Sequence, residues 1–227
     1  MLNLRKLKKD EIIWMFEHKC KHGHNFLEHP KCYENEKPSS SPINEKIGYL
    51  DIETTGLNAN WDYIISYAIL ENDSGKIYGR VAKRNETLNA DVLDKNLMKE
   101  FVLDIRKFDK VIVYWGKDRR HDIPFLRTRA LKWKENFPMY GEVKLLDAYD
   151  IVRNKLSLHR RRLENIATFL KIPSKGHRLD SEMWQKAKLG NEKALDYVWL
   201  HNKEDVITLK EVWEIVEKFT AARKTSI

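Results

Sequence analysis

Cysteine is scarce in this chain. There are two in 227 residues, Cys20 and Cys32, both in one short stretch. A framework of several disulfides therefore cannot be what holds the fold together. Also missing is any run approaching the roughly 18 apolar residues of a membrane-spanning helix, and the first ten residues carry no apolar signal segment. A cytoplasmic chain with no membrane partner is expected. Internal repeats and low-complexity tracts are absent too. Acids are the minority charge, 34 against 42 Lys and Arg, for a formal charge of +8 and a pI near 9.3. That balance favours a polyanionic partner, nucleic acid foremost. A solvated basic face would share the composition, so charge only supports the case.

Apolar residues are plentiful, at 42% of the chain with seven Trp. They suffice for a substantial core in one large domain, or in one domain with a small appendage. The first 45 residues differ in composition from the rest. A basic run, Arg5–Lys9, leads into Glu11–Phe16, where Ile12, Ile13, Trp14 and Phe16 suit a short amphipathic helix. Both cysteines follow, with His22, His24 and His29 between them and His18 just ahead. Cys20, His24, His29 and Cys32 have the spacing C-x3-H-x4-H-x2-C. Four soft or borderline donors in a loop with Gly23 and Pro30 suit one tetrahedral Zn2+. Spacing does not choose between His22 and His24. The rival readings are a Cys20–Cys32 disulfide, disfavoured in a cytosolic chain, and an unliganded His-rich loop facing nucleic acid. Glu34–Lys46, with Pro38-Ser-Ser-Ser-Pro42, reads as a polar linker. A segment 1–44 is thus expected ahead of a main domain 45–227.

The main domain opens on Gly48-Tyr-Leu-Asp-Ile-Glu-Thr-Thr-Gly-Leu57. Asp51 and Glu53 are two apart, so a strand places both carboxylates on one face, about 7 Å apart, with Leu50 and Ile52 on the other. Two like charges on a half-buried strand are costly unless a cation sits between them, and the pair reads as a hard-cation site. Residues 63–70 and 76–81 predict two further strands joined by the turn Asn72-Asp73-Ser74-Gly75. Residues 90–108 carry helical spacing, 110–114 a strand, 122–134 a helix and 144–147 a strand edge. Helices are expected around 148–155, 160–170, 181–188 and 192–221. Three antiparallel-type strands followed by strand–helix alternation indicate an α/β fold, a mixed sheet flanked by helices.

Two more acids bear on function. Asp122 opens a helix just after a strand, where an N-cap role is the bland alternative. His201 and Asp205 lie four apart on one face of the last helix, a pair that is more often structural than catalytic. Asp147 and Asp150 stand near the same sheet edge and read as helix caps. Basic clusters at Lys117/Arg119/Arg120, Arg127/Arg129 and Arg160–Arg162 are candidates for contact with a nucleic-acid backbone, or else a solvated charged face.

Taken together, these motifs resemble the DEDD, or DnaQ-like, 3′–5′ exonucleases of the ribonuclease-H-like fold. Asp51-Ile-Glu53-Thr-Thr-Gly is similar to their first motif, Gly116 through Asp122-Ile-Pro-Phe-Leu to the second, and His201-x3-Asp205 to the third. The wording of the last two is most like the YprB-type branch, and the resemblance spans about residues 46–215. Three departures stand out: Trp115 replaces a common Asn, Lys117–His121 is longer than usual, and His201 occupies a position spaced for Tyr. The resemblance implies hydrolysis of DNA or RNA from a single-stranded 3′ end with two Mg2+ or Mn2+ ions. Asp51 would bridge the ions, and Glu53, Asp122 and Asp205 would complete their shells. His201 would orient or deprotonate the attacking water, while Thr54 and Leu57 would meet the terminal nucleotide. A cleavage-silent nucleic-acid-binding module and a structure-specific endonuclease are the alternatives on the same fold.

Overall fold

Ile47–Thr54 forms β1, the middle strand of a five-stranded sheet in the order β3-β2-β1-β4-β5. In the computed structural model, the described residues are 7–36, 45–117, 120–173 and 179–220, with positions 2, 4, 38 and 41. β2 (Ile64–Glu71) and β3 (Ile77–Val81) continue antiparallel from β1 through the expected turn, where Gly75 takes φ +68°. A turn that short permits only an antiparallel neighbour. β4 (Lys110–Val113) and β5 (Lys144–Asp147) run parallel to β1 because helices carry the chain back between them. The α/β mixed sheet is therefore as expected.

Alternation along β1 gives the sheet its two faces. Leu50 and Ile52, with Val111 and Val113 of β4, pack against α4 (Lys95–Ile105) and α5 (Asp122–Trp133) through Leu97, Phe101 and Leu126. Tyr49 and Ile112 face the other way, onto α6 (Ala148–Lys155), α7 (Leu163–Phe169) and α9 (Glu192–Val216). A smaller group joins Ile65 to Ala187 of α8 (Ser181–Lys188) and to Ala194, Leu195 and Val198 of α9. The N-terminal segment has its own small core between α1 (Lys9–Glu17) and α2 (Pro30–Glu36); the one-turn α3 (Arg84–Thr87) follows β3.

Some helices differ from the pattern. The helix expected over 90–108 begins only at Lys95, because Leu93 sits at φ +37° and ends the preceding turn. The last helix gives way after Val216 to a 3-10 turn, Glu217–Phe219, and Ala221 lies outside the described residues.

One buried ion pair ties the site-bearing loops to this frame. Asp94 accepts Arg129 Nη2 at 2.6 Å and Nε at 2.7 Å, together with Trp133 Nε1 at 2.7 Å and the Ile64 amide at 3.0 Å. Arg129 also donates to the Ala59 carbonyl at 3.0 Å, pinning the 55–63 loop. Arg129 therefore does not belong among the backbone-contacting cations, since it is buried and fully engaged. Removing one partner strands the other charge. Arg129→Leu is expected to lower stability by about 3–5 kcal/mol, read as a fall in the urea midpoint followed by Trp fluorescence. Replacing Asp94 and Arg129 together by apolar residues should cost less.

Candidate active site

Asp51 and Glu53 point from β1 toward α9, on the face opposite Leu50 and Ile52. α9 crosses this face and meets the acids with consecutive residues. Asn202 Nδ2 donates to Asp51 Oδ2 at 2.7 Å, and Asn202 Oδ1 accepts from Ser66 Oγ at 2.8 Å. Asn202 and Ser66 are fully buried, so this chain of hydrogen bonds fixes the Asp51 carboxylate against the strand pair. His201 Nε2 stands 3.7 Å from Glu53 Oε1 and 3.5 Å from Asp205 Oδ2, and ligand atoms of Glu53, His201 and Asp205 all fall within 4.8 Å of one another.

Asp122 arrives from the other side of β1, at the first residue of α5. The loop between β4 and α5 is held by Asp147, which accepts the amides of Trp115 at 2.9 Å and of Gly116 and Lys117 at 3.1 Å. Asp147 also caps α6 through the Tyr149 amide, as expected of it. Arg120 bridges Asp147 and Asp150 and lies over the Tyr149 ring, so it too is withdrawn from the set of free cations. Under this clamp Trp115 takes φ +59° and stays half-exposed. Gly116 is required by close approach. A Cβ there would lie 2.5 Å from Asp122 Oδ2 and 2.9 Å from Val113 Cβ.

His121 faces Asp122 Oδ1 at 3.1 Å with Nδ1 and Thr54 Oγ1 at 3.5 Å with Nε2. Burial pushes the Asp122 carboxyl above its usual range, and the neighbouring His121 only partly offsets this. For His121 burial works downward, but the hydrogen bond and charge of Asp122, helped by Asp51, raise the imidazole overall. Asp122 Oδ2 is buried with no hydrogen-bond partner. A set of hard carboxylate oxygens, one of them buried and unsatisfied, fits a divalent cation such as Mg2+ or Mn2+.

Of the expected residues, Glu53, His201 and Asp205 form the tight group; Asp51 is tied to the same helix through Asn202, and Asp122 is tied to the end of β1 through His121 and Thr54. Thr54 ends β1, where the register shifts, and donates to the Gly56 carbonyl at 2.7 Å. Leu57 is exposed on the following loop, together with Trp61. Asn202 and His121 were not anticipated as site residues. For Asn202 a signal existed, because it falls on the buried stripe Leu195, Val198, Asn202, Val206 and Leu209, where a polar group needs a partner. The basic residues left exposed from the three clusters are Arg127 and Arg160–Arg162; Arg119 lies outside the described residues.

The N-terminal donors group differently from the spacing-based set of Cys20, His24, His29 and Cys32. The atoms within 4.8 Å of one another belong to Cys20, His22, Cys32 and Glu36. Gly23, at φ +85°, closes a turn onto the Cys20 carbonyl that brings His22 back to the thiols. The His24 and His29 rings instead stack on each other at 4.2 Å.

A family model, RNase_H_2, of the RNase_H superfamily, matches residues 48–217. No curated protein matches the chain. Among the described residues, no helix is long and apolar enough to cross a membrane.

The close approach at Gly116 makes a direct test of the oxygen cluster. Mn2+ should raise the thermal unfolding midpoint of the parent protein, since a ligand that binds only the folded state stabilises it. Gly116→Ala displaces Asp122 and should abolish most of that rise; an undiminished rise would mean that Asp122 takes no part in cation binding.

Proposed function

The chain belongs to the RNase_H superfamily, and from that premise we propose a metal-dependent 3′–5′ exonuclease acting on single-stranded DNA or RNA ends. The observation that carries this reading is the grouping of Glu53, His201 and Asp205 between β1 and α9, with Asp51 of the same strand held by Asn202 of the same helix. The catalytic domain is assigned to residues 45–227, with 1–44 as an appendage.

Two divalent ions held by Asp51, Glu53, Asp122 and Asp205 would supply the positive charge that phosphodiester hydrolysis needs on the attacking and leaving oxygens. The chain's own groups do the rest. Asn202 keeps the Asp51 carboxylate in one orientation, and the Asp147 clamp keeps the loop before Asp122 in place. His201 Nε2, between two carboxylates and only partly exposed, accepts the proton of the attacking water. Thr54 and Leu57 would meet the terminal nucleotide, and the exposed side chains of Leu57, Trp61 and Trp115 are of the kind on which a base can stack. The exposed arginines at 160–162 and the overall charge of +8 favour the phosphate backbone.

The assay uses end-labelled single- and double-stranded DNA and RNA with Mg2+ or Mn2+, read as a ladder. Stepwise loss from the 3′ end is expected, with circular strands uncut. Cut circles would make the protein an endonuclease, and binding with no cleavage would make it a silent module. Asp51→Asn should leave the fold intact and lower the rate far more than tenfold. His201→Ala should lower kcat by about 10²–10⁴-fold, with His201→Tyr recovering part of the loss. An unchanged kcat would make His201 a structural residue.

A further inference from the structure

The N-terminal segment has too little core to explain its order. Among the described residues, its buried apolar side chains are Met15, Cys20, Phe26 and Tyr33, with Leu2, Leu7, Trp14, Leu27 and Cys32 packed around them. A unit of this size usually needs a disulfide or a metal as well. The two cysteines are separate thiols.

What lies between the two helices is a set of donors. Cys20 begins a turn in which the Gly23 amide donates to the Cys20 carbonyl at 2.9 Å and the Cys20 amide to the His24 carbonyl at 2.8 Å. The turn delivers His22 Nδ1 to 3.9 Å from Cys20 Sγ and 3.5 Å from Cys32 Sγ. Cys32 and Glu36 are four apart on α2, hence on one face. Zn–S near 2.3 Å and Zn–N near 2.0–2.1 Å in a tetrahedron place S and N about 3.5–3.6 Å apart, close to the observed separations. Glu36 supplies the independent observation. Its Oε2 accepts the Lys21 amide at 3.3 Å, whereas its Oε1 is buried with no hydrogen-bond partner. A half-satisfied carboxylate beside two thiols and an imidazole is unfavourable unless a cation completes it.

The thiols are also unequal. Burial pushes Cys20 up, but the amides of His22 and His24 and the Cys32 thiol outweigh it and lower the group overall. Burial and the adjacent Cys20 raise Cys32.

We propose that Cys20, His22, Cys32 and Glu36 bind one structural zinc ion that staples the turn following α1 to α2. His24 and His29 are not ligands. This site is independent of the acid cluster and of any hydrolytic activity.

The test uses the untagged full chain carrying Asp51→Asn, so that the acid cluster contributes as little metal as possible. Elemental analysis should find about one zinc per chain after mild chelation. Modifying the thiols of the folded protein with a mercurial should release it, and Co2+ exchanged into the site should show a thiolate-to-cobalt charge-transfer band. Cys32→Ser and His22→Ala should each lose most of the zinc, and Glu36→Gln should loosen it, while His24→Ala and His29→Ala keep it. Should a variant fail to fold, mercurial release from the parent still decides whether thiolates hold the ion. Zinc-free parent protein, an intramolecular disulfide found by mass, or loss of zinc in His24→Ala with retention in His22→Ala would each overturn the assignment.

Discussion

Holding several carboxylates at one half-buried place is the constraint from which the rest of this structure follows. Two unit charges 4 Å apart near a protein surface interact by about 4 kcal/mol, unfavourably when both are negative. Asp51, Glu53, Asp122 and Asp205 come from three different elements, so no local preference offsets the repulsion. The fold answers with fixed polar neighbours. Ser66 and Asn202 hold Asp51 from β2 and α9, His121 faces Asp122, and His201 stands between Glu53 and Asp205. Each of these neighbours is itself anchored by a well-packed element, so the acids stay in register without collapsing onto one another.

The loops around this cluster are held by carboxylates that take no part in it. Asp147 takes three successive amides and Arg120 at the end of β4, and Asp94 takes Arg129, Trp133 and the first amide of β2. The buried acids thus divide by their surroundings. Those met by several donors serve the frame, whereas Asp122 keeps a buried oxygen without a hydrogen-bond partner. A carboxylate satisfied by amides and a guanidinium has little left to offer a cation. Asp122 retains that capacity, and Gly116 leaves the space for it.

Local periodicity made part of this legible in the sequence. A spacing of two on a strand put Asp51 and Glu53 on one face, and a spacing of four on a helix did the same for His201 and Asp205. The strands and most helices followed from the same two periods and from the turn at Gly75. What periodicity does not carry is the identity of a distant partner. Asn202 reaches Asp51 across 151 positions and Ser66 across 136. Arg129 looked like a surface cation because its partner, Asp94, is 35 residues away. At the N-terminus, counting residues between donors could not choose between His22 and His24, and a left-handed Gly23 turns the chain so that His22 meets the thiols. Backbone reversal at a glycine changes which neighbour faces inward, and residue counts do not register it.

The chain therefore carries two donor clusters of opposite character. One is oxygen-rich, spread across a sheet and a long helix, and braced from several sides. The other is thiol-rich, local in sequence, and set in a core of only a few residues. Ligand softness separates their cations, with carboxylates suiting Mg2+ or Mn2+ and thiolates selecting zinc. Their dependence on metal differs as well. The oxygen cluster sits on a sheet with two large cores, so the fold exists before the cation arrives. The thiol cluster lies where little else is buried, so its ion would contribute directly to folding. Charge repulsion is what a cation relieves at the first site; chain entropy is what it opposes at the second.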